Sequence, residues 1–169
     1  QGADAAVRPN QLLAVSLPDT PLPAARRRAV LATCARVLLT PYGLRSLAPD
    51  DPRYRGRYAG DAPARDAAYH QGTAWVWLLP HYALAHYRVH GDRAAALALL
   101  EPLGALLEGL ALGQLPELVD GDPPHEPRGA IAQAWSVGEA LRVWHALAAA
   151  PARRPVGRGG RTLSLVGTG

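Results

Sequence analysis

TPYGLRSLAPDDPRYRGRYAGDAPARDAAYHQGTAWVW, residues 40–77, is a long polar connection dense in Arg, Asp and Tyr that ends in an aromatic run. A compact domain rarely keeps so long a structureless link unless the link lines a site. A second such segment, LPELVDGDPPHEPRGAIAQAWS at 115–136, also runs into a Trp-bearing helix. Two polar loops of this kind read as two walls of one carbohydrate pocket.

Working outward, the flanks are helical, with no convincing alternating strand. Helices are expected over about 9–17, 22–39, 72–90, 92–110 and 130–149. Val30, Leu31, Cys34, Val37 and Leu38 recur at helical spacing, and Pro41 follows as a stop. Pro80 lies inside the third expected helix and should bend it, and Gly91 should close it. Five helices joined alternately by short and long links suggest antiparallel hairpins with the long links at one rim, as in a helical toroid. A closed bundle is the alternative. The apolar third and fourth helices would leave surface exposed on a five-helix piece, which favours the toroid with neighbours missing.

Length and composition fit one domain with a real core. The chain has 169 residues, no Met, Lys or Phe, and a single Ile, a skew that resembles GC-rich coding bias. Its formal charge of +4 is local: residues 1–149 hold 14 Arg against 14 acidic residues, and Arg153, Arg154, Arg158 and Arg161 make the surplus. With no aromatic interleaving, residues 150–169 read as a disordered Arg/Gly/Pro-rich tail rather than a nucleic-acid arm. One cysteine, Cys34, excludes an internal disulfide framework and reads as a small buried apolar residue. No signal peptide or membrane span is apparent, so a soluble cytoplasmic protein is the default expectation. The chain opens on Gln in mid-pattern and reads as a fragment.

Among groups that could do chemistry, Glu117 stands out, held in a turn-rich loop. Glycoside hydrolysis needs an acid for the leaving oxygen and a base for water, about 6.5–9.5 Å apart in inverting enzymes. A solvated loop carboxylate is the plain alternative, and Asp120 and Asp122 compete for the role. Arg57 and Tyr58 could bind sugar hydroxyls and stack on a pyranose. His70 and Gln71 stand beside a glycine where backbone can approach a ligand. Trp75 and Trp135, placed in first helical turns after the polar loops, suit a sugar platform, whereas Trp77 and Trp144 read as core. His86 and His90 stand four apart on one helical face but HEXXH is absent, and no phosphate loop or nucleophile elbow is present, so no metal or cofactor is expected.

These segments resemble the C-terminal glucosidase domain of glycogen debranching enzymes, the amylo-α-1,6-glucosidases. The matching pieces are RPNQLLAVSLP at 8–18, LLTPYGLRSLAPDDPRYRGRYAGD at 38–61, RDAAYHQGTAWVWL at 65–78 and ELVDGDPPHEPRGAIAQAWSVGEALR at 117–142. The resemblance implies an (α/α)6 toroid, of which residues 1–149 would be the C-terminal part, and inverting attack on the α-1,6-linked branch glucose. It implies Glu117 as general base, with Arg57, Tyr58 and Trp135 around the glucose. His70, Gln71, Trp75 and Gln133 fall in its motifs. The chain departs from the family at Pro116, where Ser is usual, and at Val76 and Ala130, where Pro and Cys are usual. The family's acid lies in an earlier segment absent from this chain, so the partners expected are that N-terminal part and a branched α-glucan such as glycogen. Other readings are an (α/α)6 hydrolase of trehalose or glucosylglycerate, and a non-catalytic carbohydrate-binding module.

Overall fold

The computed structural model describes residues 4–109 and 113–152. Of the expected tail, 153–169 lies outside the described residues. A 3-10 turn, Pro9–Leu12, leads into α1 (Leu13–Ser16), and α2 (Ala24–Thr33) continues into a π-helical turn, Cys34–Leu38. Then come β1 (Leu44–Arg45), α3 (Ala62–Ala68), β2 (Ala74–Trp75), α4 (Leu78–His90), α5 (Arg93–Ala98) and α6 (Leu103–Glu108). The chain closes with β3 (Leu118–Val119), β4 (Pro127–Arg128) and α7 (Ala134–Ala148).

The chain is helix-rich but not all-α. Four two-residue strands form an antiparallel sheet in the order β1-β2-β3-β4. Strands this short carry no period-2 signature, so only pairing across distant segments reveals them. Leu44, Trp75 and Leu118 stand opposite one another across three strands, as do Arg45, Ala74 and Val119. The pleat sends the two rows to opposite faces. Leu44, Trp75 and Leu118 enter one core with Leu12, Leu38 and Tyr82. Ala74 and Val119 enter a second with Leu79, Ala83, Val143 and Leu147. The sheet thus divides two apolar cores, and α4 serves both.

Other corrections have local causes. The 40–77 link is not structureless: Asp61 Oδ1 accepts the Ala64 N–H at 3.0 Å, and with Pro63 in the first turn it starts α3. The expected 72–90 helix begins only at Leu78, because 74–75 pair in the sheet. Pro80 therefore falls in the first turn of α4, where its missing N–H has no intrahelical acceptor and the ring bends nothing. The expected 92–110 helix is two, parted at Leu99–Pro102, since Pro102 cannot donate and its ring crowds the carbonyl four residues back. Leu78–Ala85 of α4 is wholly buried; the exposed large apolar residues are Ile131, Trp135, Leu141 and Trp144 on α7 and its approach, with Leu17 and, on α6, Leu107. Cys34 is buried as expected, and burial pushes its thiol up to about 11. Among the described residues no helix is long and apolar enough to cross a membrane.

Candidate active site

Glu117 immediately precedes β3, and its backbone is fixed from both sides. Its N–H donates to Ala130 O at 2.9 Å, tying the entry of the loop to its exit. The side chain is half-buried and held at both oxygens. The Tyr69 hydroxyl donates to Oε1, and the Ala130 N–H donates to Oε2 at 3.0 Å. Only the backbone of Ala130 is used, so the residue type there does not matter to this contact. Gly129, at φ 70°, leaves the room: a Cβ there would lie 2.4 Å from Glu117 Oε2. The carboxylate holds the Tyr69 phenol up at about 12, first by accepting its hydrogen bond, with burial adding to it.

Tyr69 stands at the C-terminal end of α3, in an aromatic group. Its ring centroid is 5.7 Å from Tyr58, 4.8 Å from His70 and 4.9 Å from Trp75, and His70 stacks on Trp75 at 5.1 Å. Beyond that stack opens a hollow of about 290 Å3, lined by Arg8, Pro9, Asn10, Ser46, His70, Trp75, Trp77, Leu78 and Trp135. Trp77 and Trp135 stack on each other at 4.2 Å, inclined by 15°. Arg8 ties the hollow's wall together, donating to His70 O at 2.8 Å, Ser46 O at 3.2 Å and Gln71 Oε1 at 3.0 Å. Gln71 is thereby engaged with Arg8 rather than pointing alone into the opening.

The two polar loops do meet, through Asp120 and Asp122, offered above as rival carboxylates, and through Tyr54, Arg45 and Arg128, which carried no role in the sequence reading. Asp120, 2% exposed, accepts the Tyr58 N–H at 2.8 Å and the Arg128 Nη2–H at 3.1 Å. The Tyr54 hydroxyl donates to Asp122 Oδ1 at 2.9 Å, and Arg45 Nε donates to Gly121 O at 2.9 Å. A Cβ on Gly121 would lie 2.0 Å from Gly72 O, so the two backbones touch where any side chain would part them. Asp120 and Asp122 are therefore structural cross-links between the loops.

Set against expectation, the structure gathers His70, Trp75 and Trp135 around one hollow and puts Glu117 behind Tyr69, next to it but not on its lining. Trp75 is in a strand, not a first helical turn, and is 9% exposed. Trp77 is half-buried, packing against the core of Leu38 and Tyr82 while it stacks on Trp135, and Trp144, 55% exposed, is not core. Tyr58 approaches Glu117 only through Tyr69, and Arg57 is exposed, with no hydrogen bond or ion pair to Glu117 among the described residues. Gln133 enters α7 by backbone bonds, from its N–H to Leu115 O at 2.9 Å and from Val137 N to its carbonyl. Tyr69, Arg8 and Trp77 were missed. The repeated adjacency of Tyr, His and Trp in AAYHQGTAWVW was the signal for Tyr69 and Trp77, but nothing local distinguishes Arg8.

A serine–histidine–carboxylate line also exists. Ser16 Oγ lies 2.8 Å from His81 Nδ1, and His81 Nε2 lies 3.0 Å from Glu139 Oε2. Ser16 is 1% exposed, and none of the three lines the hollow, so no substrate reaches it. The line instead ties α1, α4 and α7 together. No group of three His, Cys, Asp or Glu side chains among the described residues is placed to hold a metal.

Residues 1–142 match the family described as amylo-alpha-1,6-glucosidase, a helical glycosidase domain. Over 94 residues the chain is 33% identical to the glycogen debranching enzyme of Saccharomyces cerevisiae, a match covering 52% of this chain and 6% of that protein.

Proposed function

The chain belongs to the amylo-alpha-1,6-glucosidase family, and from that premise we propose that it supplies the base side of an inverting hydrolysis of α-1,6-linked glucose at glycogen branch points. Glu117 takes a proton from the attacking water. The acid that protonates the leaving oxygen comes from a segment preceding this chain, and the helices here are the last hairpins of an (α/α)6 toroid. One observation supports this reading above the rest: the half-buried carboxylate of Glu117 is held by two separate donors beside an aromatic hollow. A rigidly placed carboxylate is what activation of one water requires. The hollow is near the lower end of ligand-site volumes, about 300 Å3, which suits a single sugar ring. Indole faces at Trp77 and Trp135 suit the apolar face of a pyranose; Arg57 and Tyr58, off the lining of the hollow, keep a sugar role only by the family resemblance.

The isolated chain is expected to bind but not hydrolyse. Release of glucose from a branched limit dextrin by the purified chain, lost in Glu117→Gln, would contradict its inactivity. Binding is read from intrinsic fluorescence, since three of the four tryptophans line the hollow. Titration with 1-deoxynojirimycin should change that emission in the wild type and much less in Glu117→Gln. Emission unmoved at every concentration would sink the site.

A second reading has a specific observation behind it: Glu117 does not line the hollow. A non-catalytic glucan-binding module predicts affinity for glycogen that survives Glu117→Ala and falls in Trp135→Ala.

A further inference from the structure

We propose that Tyr69 is the positioning residue of Glu117, its hydroxyl setting the rotation of the carboxylate relative to the sugar. This rests on the reading of Glu117 as the base. The geometry provides one donor for each carboxylate oxygen, the Tyr69 O–H on Oε1 and the Ala130 N–H on Oε2. Two donors on opposite oxygens fix the plane of the group, where one would leave it free to turn. Each oxygen keeps a further lone pair, so the carboxylate can still accept a proton from water. Ala130 N–H belongs to the loop that carries Glu117, and it can only move with that loop. Tyr69 comes from α3 and is wedged against Tyr58, His70 and Trp75. It is thus the contact that refers the carboxylate to the wall of the hollow. His70 and Trp75 line that wall, so a shift of either is passed to Glu117 through one ring. A purely packing role for Tyr69 makes a different prediction, because phenylalanine would fill the same space.

Two measurements on the whole chain separate these roles. The first is ultraviolet tyrosinate absorbance against pH, comparing wild type with Glu117→Gln. Loss of the carboxylate charge should bring one phenol back toward its ordinary value of 10, so that the variant shows one extra tyrosinate between pH 10 and about 12. Superimposable curves would overturn the coupling. The second is the affinity for 1-deoxynojirimycin. Glu117→Gln should abolish binding. Tyr69→Phe should weaken it about tenfold, the worth of a hydrogen bond to a charged group. Tyr69→Phe with wild-type affinity, beside a Glu117→Gln that does not bind, would remove the positioning role and leave the base reading standing. Binding untouched by Glu117→Gln would remove the base reading and the positioning role together, while the absorbance titration would still report the hydrogen bond.

Discussion

Asp120 holds the two polar loops together, and replacing it separates the two effects that could make it matter. Its Oδ1 accepts the Tyr58 N–H at 2.8 Å, and its Oδ2 accepts Arg128 Nε–H and Nη2–H at 3.3 and 3.1 Å. Asp120→Ala leaves the half-buried Tyr58 N–H without an acceptor, which costs about 1–3 kcal/mol. The Arg128 side chain is 38% exposed, so it rehydrates, and the lost ion pair adds no more than about 1 kcal/mol. The sum is about 1–4 kcal/mol, dominated by the backbone donor. Asp120→Asn keeps the acceptor for Tyr58 but turns an amide toward the guanidinium, and should cost about 1–2 kcal/mol. Arg128→Ala leaves the buried Asp120 carboxylate without its guanidinium and should cost about 1–3 kcal/mol. Urea denaturation of the three variants, with slopes equal to wild type, reads these values. If Asn proves as damaging as Ala, the ion pair dominates and the reasoning fails. If Ala costs under about 1 kcal/mol, the loops are held by something else.

Gly129→Ala places a methyl 2.4 Å from Glu117 Oε2 at a φ of 70°, so iminosugar binding should vanish at a stability cost of about 1–2 kcal/mol. Binding retained within twofold would show that the carboxylate is not held there. Leu147→Ala, in the core behind α7, should cost about 2–5 kcal/mol, whereas exposed Leu141→Ala should stay within about 0.5 kcal/mol. Equal costs would mean that α7 packs by another face. His81 is held below its ordinary 6.5 by burial, with Arg142 and Arg88 adding to the shift and Glu139 opposing it. The folded state keeps His81 neutral where the unfolded chain takes up a proton. This contribution to stability is therefore present above about 6.5 and lost as pH falls through that value toward the lower folded one. His86 is lowered by burial as well and loses stability in the same window. Urea midpoints should thus fall between about pH 7.5 and pH 5, and less so in His81→Gln. An undiminished fall in that variant would exclude His81 as a source.

Helical content and the family could be read from residue order. α7 is legible in AWSVGEALRVWHALA because its apolar residues repeat at helical spacing, and Asp61 and Asp92 cap helices by local hydrogen bonds. Such signals need only near neighbours. The sheet was not legible, since each strand is two residues long and its pairing joins residues up to 45 positions apart, Ala74 with Val119. The exposure of Trp144, the stacking of Trp77 on Trp135 and the Tyr69–Glu117 contact were hidden for the same reason. Residue order alone nominated Glu117, as an ionisable carboxylate in a turn-rich loop. Tertiary structure decided which donors hold it and which wall stands beside it, because those partners lie 48 residues away for Tyr69 and 13 for Ala130, and only the closed backbone brings them within reach.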